Sequence, residues 1–248
     1  MKHIFIILIT CIIISCNYQN QSKNSDNETS VRENINQISV PLILMDSLES
    51  RRSEFQINAY NAAQNIRNFA KKYGWEDLTK EEFMDSIMIF DDKNIFNVTL
   101  LKLAEADTSM VLPDTYCAAL EKRTLVSVSP EFYSKVYPEG IEERSFEKLL
   151  THEIAHRLHV RILKGNEEAM GPIWFYEGFA MYAADQFSKS EIVLSNEEMI
   201  NIMKDPDRGS YKKYNYIFRY FVSKVPLKEL ISKAKNENFN EELISMLN

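Results

Sequence analysis

The segment His152-Glu153-Ile154-Ala155-His156 constrains this chain more than any other, because it sets three polar, ionisable side chains inside an apolar stretch. Phe146, Leu149, Leu150, Ile154, Ala155, Leu158, Ile162 and Leu163 put apolar groups on several sides of a helix. Such a helix is buried, and burying two imidazoles and a carboxylate without partners is costly. At ~100° per residue, His152 and His156 project about 40° apart, one turn along the same face. Their ring nitrogens can then converge on one tetrahedral metal with bonds of ~2.0–2.1 Å. Glu153 is turned ~100° from His152, so it lies beside such a metal, where it can act as a base on a water.

A second segment extends this reading. Pro172-Ile173-Trp174-Phe175-Tyr176-Glu177-Gly178-Phe179-Ala180-Met181-Tyr182 follows on a helix that Pro172 can open. A carboxylate among Trp174, Phe175, Phe179 and Tyr182 needs a cation if it is buried. Gly178 and Ala180 are small, as close packing against the histidine helix requires. The two segments together resemble the gluzincin metallopeptidases, in which a His-Glu-x-x-His helix precedes a helix bearing Trp-x-x-Glu-Gly-x-Ala. The resemblance implies that His152, His156 and Glu177 bind one zinc ion and that Glu153 is the catalytic base. It spans residues 84–225, with its specific residues confined to 152–182.

His159 is a rival third ligand. It returns to the face of His152, but a straight helix carries it ~10.5 Å along the axis. No glycine follows His156 until Gly165, so the helix has no break that would bring His159 back. An oxyanion-stabilising tyrosine is also implied by the resemblance. Tyr211 is the first candidate in the segment Tyr211–Phe221, and Tyr214 is the alternative.

The order of patterns predicts an α+β fold, with a small mixed sheet first, then the active-site helix and a mainly helical C-terminal region. Residues 35–83 read as a helical N-terminal extension, with its helical pattern running from Pro41 to Tyr73 and stopping at Gly74. Residues 84–248 read as the catalytic domain. Ser86–Phe90 is a strand, followed by a helix that Asp91 or Asp92 caps. Tyr116–Ala119 and Thr124–Ser129 are two strands around a polar turn. The resemblance makes Leu125–Ser129 the edge along which an extended peptide pairs. Ser145 can cap the histidine helix and Gly165 can end it. A single helical pattern covers Leu227–Met246 after Pro226.

The start of the chain reads as a leader. Lys2 and His3 precede an apolar run from Ile4 to Ile14 that is too short to span a membrane. The ending Ile13-Ile14-Ser15-Cys16 resembles a bacterial lipoprotein box, which implies removal of residues 1–15 and a lipid on Cys16. A plain cleaved signal is the other reading. Residues 16–34 are rich in Asn, Gln, Ser and charge, and read as a flexible tether. With Cys11 removed and Cys16 lipidated, Cys117 has no partner for an internal disulfide.

Composition narrows the partners. The formal net charge of −7 argues against nucleic acid, which needs a basic surface. The expectation is a zinc-dependent peptidase, monomeric, tethered through Cys16 to a membrane of the bacterial cell envelope, with a peptide or protein substrate. The competing expectation is a binding lipoprotein that keeps the same fold without catalysis. A purely structural metal site fits poorly, because it wants four protein ligands and only three are at hand.

Overall fold

The computed structural model describes residues 40–247, so the segments expected to be a leader and a tether, with Cys16, lie outside the described residues. Within them the fold is α+β, with a four-stranded mixed sheet and nine α-helices. The strands are β1 (Leu42–Leu44), β2 (Ser86–Phe90), β3 (Ala118–Glu121) and β4 (Thr124–Val128), arranged β1-β2-β4-β3. β1 and β4 run parallel to β2, and β3 runs antiparallel to β4. Ile87 and Ile89 point into the core while their neighbours on β2 are half-buried, the alternation expected of one covered face. Every residue of β4 is buried, as a central strand covered on both faces requires.

The helices are α1 (Arg52–Lys72), α2 (Lys93–Leu103), α3 (Pro130–Val136), α4 (Ser145–Ile162), α5 (Ile173–Ala183), α6 (Asn196–Lys204), α7 (Tyr211–Val222), α8 (Leu227–Lys233) and α9 (Phe239–Ser245). α4 carries the histidine pair between α1 and α5, and α7 covers the far side of α5. Glu147, buried near the start of α4, accepts from Asn61 Nδ2 at 3.1 Å, Asn65 Nδ2 at 2.7 Å and the Arg144 guanidinium. These bonds fix α1 on α4 by satisfying a charge that burial would otherwise penalise.

Several expectations change. Leu42–Leu44 belongs to the sheet and not to a helix, because Leu42, Ile43 and Leu44 pair with Ile87, Met88 and Ile89. Phe55, Ala59, Ala62 and Ile66 of the stretch 40–83 enter the same apolar core as Leu150 and Phe179. The sheet's edge on the side of the histidine helix is β3, and Leu125–Val128 sits inside, between β2 and β3. Ser145 is the first helical residue of α4. The capping position falls on Arg144, at φ 59°, whose guanidinium binds Glu147 instead of a free backbone N–H. The C-terminal pattern splits into α8 and α9. A short helix, α3, starts at Pro130 with Ser129 Oγ accepting from Phe132 N at 3.3 Å.

Gly178 is needed for a different contact from the one expected. A Cβ there would lie 2.7 Å from Phe218 Cβ on α7, so the small residue admits α7. Gly178→Ala is expected to force α5 and α7 apart and cost ~1–3 kcal/mol. A urea midpoint equal to that of the unaltered protein would show that the two helices are not this close.

Candidate metal centre

Helical geometry brings the two histidines of α4 to face Glu177 of α5. His152 Nε2 lies 3.0 Å from His156 Nε2 and 3.1 Å from Glu177 Oε2, and His156 Nε2 lies 3.7 Å from the same oxygen. Ligand atoms on a tetrahedral zinc with bonds of ~2.05 Å stand about 3.3 Å apart. The three observed separations bracket that value, so the donor set fits a metal of this size. His152, His156 and Glu177 form the one group of three or more potential ligands found among the described residues.

The chemistry of the donors agrees. His152 Nδ1–H donates to Gln186 Oε1 at 2.9 Å, which fixes the tautomer and leaves the Nε2 lone pair facing its two neighbours. Burial pushes the His152 pKa down, but the hydrogen bond and charge of Glu177 more than reverse it, and the net shift is upward. Burial alone would push the Glu177 carboxyl up. The charges of Arg208 and of the imidazoles hold it well below the usual carboxylate range.

Gln186 and Arg208 are the site residues that sequence reasoning missed. Gln186 follows α5 in a turn whose Asp185 and Phe187 both take φ 53°. Neither is glycine, so the turn left no signal in the sequence, and the strained backbone aims Gln186 at His152. Arg208, in the loop between α6 and α7, donates to Glu177 Oε1 at 2.6 Å. It also donates to the Tyr211 hydroxyl at 2.6 Å and the Tyr176 hydroxyl at 2.9 Å.

The remaining candidates sort by position. Glu153 is buried, lines the same cavity as the three donors and is outside their cluster. Its carboxyl is pushed up by burial, more than the nearby imidazoles pull it down. Tyr211 lines that cavity too, its ring 5.8 Å from that of His152. Tyr214 does not: its oxygen accepts from Gly209 N and donates to Asp207 O at 3.2 Å, so it pins the loop that carries Arg208. Trp174 is structural, stacked on Phe239 with Nε1–H donating to Asn240 Oδ1 at 3.0 Å.

His159 stands apart from the cluster. It is buried against Phe179, ring centroids 4.4 Å apart, and neither ring nitrogen has a hydrogen-bond partner. Burial and the neighbouring His156 push its pKa down to about 3. The unfolded chain protonates this residue near ~6.5, so below that pH the unfolded state binds the extra proton and stability falls. The loss reaches about 2 kcal/mol by pH ~5 and levels off below pH ~3. His159→Phe is expected to remove this component. Urea midpoints at neutral and mildly acidic pH measure it, and identical pH dependence in both proteins would contradict it.

Beside the donors a groove of about 380 Å³ opens, walled by Ala119, Leu120 and Glu121 of β3 and reaching Glu153, His156 and Tyr176. No helix among the described residues is long and apolar enough to cross a membrane. No family model, curated protein or solved structure matches this chain.

Proposed function

We propose that this chain is a zinc-dependent peptidase of the gluzincin type. The observation that carries the reading is the convergence of His152 Nε2, His156 Nε2 and Glu177 Oε2, with Glu153 next to them at the mouth of an open groove. Three protein donors leave a coordination position free, as hydrolytic sites do and closed structural sites do not.

Zinc, when bound, supplies a Lewis acid that polarises the scissile carbonyl and acidifies water at neutral pH. The rest is done by the chain. Edge strand β3 offers its unpaired backbone to an extended peptide along the groove. Glu153 takes a proton from the attacking water and returns it to the departing amine. In the metal-free protein burial raises the basicity of this carboxylate. The Tyr211 hydroxyl donates to the oxygen that becomes negative. Around this site the burial of Tyr116, Tyr133 and Tyr137 excludes bulk water.

The lipoprotein reading of residues 1–16 gives the reaction a location. A lipid on Cys16 and a tether over residues 16–34 would hold the domain at a membrane of the cell envelope, outside the cytoplasm, as a monomer.

The test is hydrolysis of a quenched peptide library by the full chain carrying one zinc. Cleavage is expected, stopped by a chelator and restored by zinc. One tightly held zinc with no cleavage of any peptide contradicts the enzymatic reading and favours a binding lipoprotein.

A further inference from the structure

We propose that Arg208 is a positioning residue that sets two members of the site at once: it turns Glu177 toward the metal position and turns the Tyr211 hydroxyl into a donor aimed at the cavity. The first half needs only the metal site; the second rests on the peptidase reading above.

The geometry is specific. Arg208 Nη1 is 2.6 Å from Glu177 Oε1 and 2.6 Å from the Tyr211 oxygen, so both of its protons are committed. Nη2 reaches the Tyr176 hydroxyl at 2.9 Å. The Arg208 side chain is 7% exposed and that of Glu177 is 0% exposed, so water cannot replace these bonds. With Oε1 occupied, Oε2 is the carboxylate oxygen that faces His152 and His156. A guanidinium only donates, so the Tyr211 oxygen receives from Arg208 and its own proton is free to point elsewhere. Tyr211 lines the cavity that also holds Glu153 and the histidines. The loop itself is held: Tyr214 accepts from Gly209 N and donates to Asp207 O at 3.2 Å, on either side of Arg208. Tyr214, the alternative oxyanion residue, thereby serves the site indirectly, by holding the loop that carries Arg208.

Two roles for Arg208 have opposite signs. A positive charge acting only through space repels a bound cation, so its removal tightens zinc. A residue that orients a ligand weakens zinc when removed, typically ten- to a hundredfold. The experiment is zinc titration of the full chain against a chromophoric chelator, with visible spectra of the cobalt-substituted protein, for Arg208→Met and Arg208→Lys. Arg208→Met is expected to raise the zinc Kd about ten- to a hundredfold and to alter the cobalt bands, because a freed carboxylate can offer both oxygens. A zinc Kd unchanged or tighter, with an unaltered cobalt spectrum, overturns the proposal. Arg208→Lys keeps the charge and the donors on a single, shorter and unforked arm, so it is expected to follow the carboxylate Oε1 and to hold the neutral Tyr211 oxygen less firmly. It is expected to keep most of the zinc affinity and to lower kcat with KM little changed. If Arg208→Met does not fold, Arg208→Lys decides: wild-type zinc Kd together with wild-type kcat overturns the proposal. If the unaltered protein cleaves nothing yet Arg208→Met still loses zinc, the peptidase reading fails and the hold on Glu177 stands.

Discussion

Glu177→Ala is expected to release the metal and to destabilise the metal-free fold by ~3–5 kcal/mol. Two separate causes act. The variant removes one of three donors, and with it any stabilisation from bound zinc, which grows with metal concentration over Kd. It also removes the carboxylate that neutralises Arg208, leaving a guanidinium buried with only the hydroxyls of Tyr176 and Tyr211. Breaking one side of a buried ion pair costs far more than the pair contributes, because the remaining charge is not resolvated. Urea denaturation in excess chelator isolates the second cause from the first. Equal midpoints for the variant and the unaltered protein under chelation would show that Arg208 has another partner.

Glu153→Gln is expected to behave in the opposite way. General-base catalysis contributes about 10²–10⁴-fold, and turnover is expected to fall by at least that much while zinc stays bound. Stability is expected to hold or rise. Burial raises the Glu153 pKa, so the metal-free fold favours the protonated carboxyl, and its ionisation weakens the fold as pH climbs through that raised value. A neutral amide of the same shape does not ionise, so Glu153→Gln is expected to be the more stable protein at neutral pH in chelator. A site residue whose removal stabilises the fold while ending turnover is one kept for chemistry. Wild-type hydrolysis by this variant would remove Glu153 from the mechanism.

The features of the site that could be read from the sequence are those tied to helical periodicity. His152 and His156 share a face because four residues make about one turn. Glu177 stands out through the resemblance of the segment Trp174–Ala180 to the gluzincin pattern, with the need of a carboxylate in an aromatic helix for a cation in support. Gln186 and Arg208 could not be read, since each comes from a loop whose path depends on distant packing. The turn at Asp185–Phe187 has positive φ without glycine, and the loop at 205–210 is held by a tyrosine on the following helix. Polar residues in such loops look alike until the fold turns them inward.

The sheet shows the same division. The β3–β4 hairpin was legible from its polar turn, where Lys122 and Arg123 take φ 43° and 67°. Strand order was not, because β2 and β4 are joined by a parallel pairing across residues 91–123 that no local pattern encodes. That is why the sequence points to Leu125–Ser129 as the edge strand, whereas the edge of the sheet is Ala118–Glu121. Leu42–Leu44 failed for a related reason. Three apolar residues fit either period, and pairing with Ile87–Ile89 decides between them.

The most direct test of the metal centre is the metal content of the full chain, purified without chelator and titrated with zinc. One zinc per chain is expected in the unaltered protein and in Glu153→Gln, and none retained in Glu177→Ala. No zinc in the unaltered protein, or full zinc in Glu177→Ala, would contradict it.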